Sequence, residues 1–176
     1  MATLALSGSL AERAVPSGPF AEAAPCDGPG SDPWVSDLRS RVLAYDGLAR
    51  FAFEHFGEPV ACDGVRTDDF DGLAFGSLRL TFPGAVTLDV TTMPPETSVV
   101  TLTAASGFPD EGQIREALAA HAADRGLAID WSTPEVGTSG DEVTHTFWDP
   151  DPGLNGSAAL VFREGVLVAV RAGLAL

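Results

Sequence analysis

Apolar residues recur along the chain in two rhythms, and the switches between them mark its elements. From Val35 onward the steps are three and four: Val35, Leu38, Val42, Tyr45, Ala49, Ala52 and Phe56 fall on one stripe of a helix. Asp32 stands at the N-cap position, Pro33 suits the first helical residue, and Gly57 follows the last. Gly47 weakens the middle of this stripe and makes Asp46-Gly47 the place for a break. Beyond it the rhythm changes to two. Leu78, Leu80 and Phe82 alternate with polar residues, as do Val86, Leu88 and Val90, then Val100 and Leu102. Pro83-Gly84 and Pro94-Pro95 separate these runs as turns.

The helical rhythm returns from about Pro109 to Arg125, with Ile114, Ala117, Leu118 and His121 on the inner face. Asp110 and Glu111 in its first turn and Arg125 in its last match the helix dipole, and Gly126 caps it. A second meander follows. Leu127, Ile129 and Trp131 read as its first strand, a polar loop runs to Gly140, and Val143, His145 and Phe147 form the next strand. Ala158, Leu160 and Phe162 then alternate up to a tight Glu164-Gly165 hairpin into the run 166–172. Grouped strands between helices predict an α+β fold: antiparallel meander sheets of about six to seven strands with two helices on one face, ordered α-βββ-α-ββββ. That element order is similar to the one in small acidic α+β secretion chaperones, although the terminal helix such proteins carry is missing.

Residues 1–31 obey neither rhythm. Pro16, Gly18, Pro19, Pro25, Gly28, Pro29 and Gly30 make them an extended arm ahead of one globular domain, residues 32–176. Alternating Leu4 and Leu6 would suit addition of a strand to an open sheet edge.

Charge narrows the function classes. The 25 acidic residues face 10 basic ones, all arginine, for a net charge of -15. No basic stripe exists to displace counterions from a nucleic acid or to hold an anionic membrane surface. The lysine-free composition fits a prokaryotic origin, through either a GC-rich genome or a salt-adapted surface kept soluble by carboxylates. No apolar run is long enough to span a bilayer, and the N-terminus lacks the basic start of a signal peptide. The expected location is therefore cytoplasmic, with Cys26 and Cys62 as free thiols.

Candidate chemistry is sparse. Asp149, Asp151, Gly153 and Asn155 resemble a calcium loop, but glycine takes the fifth position and no acid stands at the twelfth, so a strand-connecting turn explains them better. Asp68, Asp69 and Asp71 read as a solvated loop in the same way. His55, His121 and His145 show no metal-ligand spacing; no metal and no cofactor is expected. Nucleophile elbows and phosphate loops are absent, and a chain without lysine has no Schiff-base chemistry. Trp131 and Trp148 each end an expected strand and suit the anchor role that tryptophan plays at interfaces, clustered at one sheet edge. His145 is the residue most able to line a pocket.

These residues favour a non-catalytic, protein-binding accessory, adaptor or chaperone-like subunit. Its contact surface would combine a sheet face, the two tryptophans and Leu4 and Leu6 of the arm. The alternative is a small-molecule-binding protein or enzyme with a pocket between sheet and helices and His145 at its wall. A homodimer joined at the last strand is a third arrangement.

Overall fold

The computed structural model describes residues 31–68, 74–93, 97–151 and 156–174. It is an α+β fold in which helices α1 (Pro33–Tyr45), α2 (Gly47–Phe56) and α3 (Glu111–Asp124) serve an eight-stranded antiparallel sheet. The strands are β1 (Ala61–Asp68), β2 (Ala74–Phe82), β3 (Val86–Met93), β4 (Thr97–Ala104), β5 (Glu135–Ser139), β6 (Glu142–Trp148), β7 (Gly156–Arg163) and β8 (Val166–Leu174). Their spatial order is β1-β2-β3-β4-β8-β7-β6-β5. The chain is therefore a helix pair and a meander followed by a helix and a second meander; β4 pairs with β8 to join the two meanders, and α2 packs on α3. With β4 on one side and β7 on the other, β8 has no free edge, so a second copy cannot join there; the edges are β1 and β5.

The expected first helix is two helices. Asp46 ends α1 in an extended conformation, and its Oδ1 accepts from the amides of Leu48 and Ala49 to start α2. The break rotates the apolar stripe. Tyr45, placed on the inner face by uninterrupted spacing, is 64% exposed, while Leu43, Leu48 and Phe51 are buried. Elsewhere the capping reads as the sequence implies: Asp32 accepts from Trp34, Asp110 from Gln113, and Gly57 and Gly126 take positive φ after their helices.

The sheet has eight strands where six to seven are expected, and two of them fall outside the expected set. β1 lacks an apolar alternation because its inner positions include Gly64, where an added Cβ would lie 2.2 Å from Val35 Cγ1. At Gly76 on β2 the added Cβ would lie 2.9 Å from the Trp34 ring. The two glycines form a shelf on which α1 sits close to the sheet. β5 is the second unexpected strand; it lies in the segment expected to be a polar loop and is exposed throughout. Conversely, Leu127–Trp131 is not a strand. It buries Leu127 and Ile129, sets the Trp131 ring 5.1 Å from Phe147, and bonds to β6 once through the Asp130 amide and the Trp148 carbonyl. Its alternation comes from capping the apolar face of the second meander beyond the reach of α3.

That inner face is continuous. Leu78, Leu80, Leu88, Leu102, Leu160 and Val170 lie across the strands under the helices and are buried. Cys62, also on the inner face of β1, is disulfide-bonded, and no cysteine among the described residues is free. The expectation of free thiols is overturned; the chain's other cysteine is Cys26. Among the described residues no helix is long and apolar enough to cross a membrane.

Candidate functional site on the open face of the sheet

The outward residues of the same strands build the candidate site. Alternation puts Thr101 of β4, Arg171 of β8, Ala159 of β7, Thr146 of β6 and Glu135 of β5 in one row across the sheet, each paired with the next. No described helix covers this face. Over β4, β8, β7 and β6 it forms a hollow of about 420 Å³. Its floor is short side chains, among them Thr144, Thr146, Ser157 and Ala159; Trp148, Glu142 and Arg171 rise around them. Ala159 is 7% exposed although no described helix lies above it, which shows how far its taller neighbours enclose it.

Each wall residue is held differently. The Trp148 indole N–H donates to Glu135 Oε2 at 3.0 Å, which ties it to the edge strand while the residue stays 42% exposed. Glu142 accepts from Arg163 Nη2 at 2.5 Å, and Asp141 adds a second carboxylate at 3.5 Å. The Arg163 guanidinium is held above its usual range, first by the Glu142 hydrogen bond and then by the charges of Glu142 and Asp141. Arg171 is exposed and has no ion pair among the described residues.

The residues singled out in the sequence separate here. Trp148 lines the hollow; Trp131 lies tilted against Phe147, which points to the opposite face, so the two tryptophans do not cluster. His145 also faces the helix side, half-buried, with its ring 5.1 Å from Phe162. It does not line the hollow, and the hollow is not between sheet and helices. Leu4 and Leu6 lie outside the described residues. Arg171 was the residue missed. Its signal was visible: one charge inside the apolar run Val166–Ala172, at an outward position.

Other polar clusters serve the fold. Asp149 is buried and accepts from the amides of Ala128 and Asp151 at 2.7 and 2.8 Å, so it organises the turn after β6. His121, 2% exposed, places Nδ1 3.3 Å from Asp46 Oδ2, and Arg125 Nη2 approaches the same oxygen at 3.4 Å. Burial pushes the Asp46 carboxyl upward, but the His121 hydrogen bond and charge, the Ala49 amide and Arg125 together lower it below the usual value. Among the described residues no three His, Cys, Asp or Glu side chains gather as a metal cage. No family model, no curated protein and no solved structure matches the chain.

Proposed function

We propose that the protein is a non-catalytic accessory module, of adaptor or chaperone-like character, that holds a protein partner on the open face of its sheet. The observation that carries this reading is the hollow over β4, β8, β7 and β6, walled by a half-exposed tryptophan and floored by hydroxyls and small side chains. Tryptophan and arginine are also the residues most enriched at the energetic centres of interfaces.

Ala159→Arg tests it by filling the floor from within. Tagged wild-type and variant proteins, captured from native lysate at matched salt, are compared by mass spectrometry, with a thermal melt showing the fold intact. The variant is expected to lose the partners that wild type retains. Identical partner sets would overturn the reading. A second reading, a small-molecule binder, draws on the hollow's volume, which falls in the ~300–1,000 Å³ range of ligand sites. It would appear as compounds that raise the melting temperature of wild type but not of Ala159→Arg.

A further inference from the structure

We infer that the open face grips an extended peptide segment of its partner through one acidic side chain, whose carboxylate pairs with Arg171 while an apolar side chain lies on Trp148. This rests on the open face being a docking surface and adds the chemistry of what docks there.

The open face neutralises its cations across the strands. Arg79 of β2 stands directly opposite Asp89 of β3, with Nε to Oδ1 at 2.6 Å. Arg163 of β7 stands directly opposite Glu142 of β6, with Nη2 to Oε1 at 2.5 Å. Arg171 breaks this pattern. Its ladder neighbours are Thr101 on one side and Ala159 on the other, and the next outward residues along β8 are Ala169 and Gly173. None of the four carries charge. In a chain with 25 acids against 10 bases, a guanidinium without a carboxylate among the described residues does not reflect a shortage of acids. The neighbouring acids are already engaged, Glu142 by Arg163 and Glu135 by the Trp148 indole. What remains is a planar fork of donors, matched to an incoming carboxylate and surrounded by side chains short enough to admit one.

The second contact sets the kind of ligand. Trp148 lies two strands from Arg171 and two residues along from Thr146, which shares the Arg171 row. Strand spacing and rise put the two positions about 12 Å apart. A small organic acid seated on Arg171 leaves the indole unused. An extended chain covers the distance in about four residues and keeps the first and fifth side chains on one side. The acidic surroundings further select a segment with a single acid, because a run of them would meet the chain's own net charge of -15.

The test uses the full-length, uniformly ¹⁵N-labelled protein and two capped pentapeptides, acetyl-Glu-Thr-Val-Thr-Phe-amide and its glutamine-first counterpart. Amide chemical shifts are followed during titration of wild type, Arg171→Gln and Trp148→Ala. Both substitutions fall on exposed residues, and thermal melts confirm the fold. The expected result is shifts confined to β6, β7 and β8, with the glutamate peptide bound about tenfold more tightly than the glutamine one. Arg171→Gln should erase that ratio, and Trp148→Ala should weaken both peptides by the same factor. Equal binding of the two peptides to wild type, an unchanged ratio in Arg171→Gln, shifts elsewhere, or no binding at millimolar peptide would each overturn the inference. If that happens while Ala159→Arg still strips partners, the docking reading stands and only its carboxylate chemistry falls; if Ala159→Arg strips none, both fall.

Discussion

Replacing Asp46 by alanine should be among the most damaging single changes available to this fold. The side chain is 1% exposed and works in two directions at once. Oδ1 caps α2 through the Leu48 and Ala49 amides at 2.9 and 3.0 Å, and Oδ2 faces His121 and Arg125 of the α3 region. Losing an N-cap costs about 1 kcal/mol. Leaving the buried His121 ring without its acceptor adds about 1–3 kcal/mol. Together these approach the about 3–5 kcal/mol seen when one partner of a buried charged pair is removed. For a domain of this size that corresponds to a fall in Tm of roughly 10–15 °C.

Asparagine separates the two roles, since it caps a helix as well as aspartate but carries no charge. Asp46→Asn should therefore cost less than half as much as Asp46→Ala. Urea melts followed by far-UV circular dichroism measure both, with an unchanged m-value confirming that only stability has moved. The charge also sets a pH dependence. Because the folded carboxyl titrates below its unfolded value, its contribution is present above about pH 4 and is lost as pH falls through the lower folded pKa. The gap between wild type and Asp46→Asn should close on acidification from pH 5 to pH 2. An alanine variant within about 1 kcal/mol of wild type would refute the reasoning, since that is less than the combined cap and burial costs.

Three further outcomes follow from packing and composition. Gly64→Ala should destabilise by about 1–3 kcal/mol because the new methyl meets Val35, and Val35→Ala in the same chain should recover part of the loss; additive costs would show that the contact is not the cause. Protein purified without reductant should resist thiol alkylation while folded and denatured, and reduction should lower its stability by about 2–5 kcal/mol; quantitative labelling of Cys62 before reduction would contradict the disulfide. Molar salt should raise Tm by screening the 25 carboxylates from one another, and a flat response in a salt series would remove salt adaptation as the reason for the composition.

Where one face of an element was buried and the other wet, the hydrophobic pattern located it. β2, β3 and β4 carry that contrast, and so does α3 through Ile114 and Leu118. β7 and β8 bury residues on both faces and are marked instead by their apolar runs and the Glu164-Gly165 turn between them. The failures share a cause. β1 has glycine where a core residue would announce a strand, because α1 lies too close for any side chain. β5 is exposed on all positions, so no contrast exists for a period of two to report. Leu127 and Ile129 alternate because they bury a crossing segment, and sequence spacing does not separate that from strand pairing. The break at Asp46 was foreseeable from Asp-Gly, but its effect on Tyr45 depended on how α2 re-phased.

The site was less legible than the fold. Trp148 announced itself by type and position, and it does line the hollow. His145 lies on the helix side, as its company with Val143 and Phe147 implies, and so stands on the face opposite the hollow. Arg171 shows in the sequence as one charge inside an apolar run, but a single arginine in a chain with ten means little until its neighbours are known. Its meaning lies in Thr101 and Ala159, which are distant in sequence and adjacent only through two strand ladders.

The central seat of β8 makes one strand the guard of two edges. Without it β4 and β7 would both lie bare, flanked by Leu102 and Leu160. Such edges are templates for pairing with another chain. Damage to β8 therefore does more than loosen one ladder: it opens two sticky half-sheets at once.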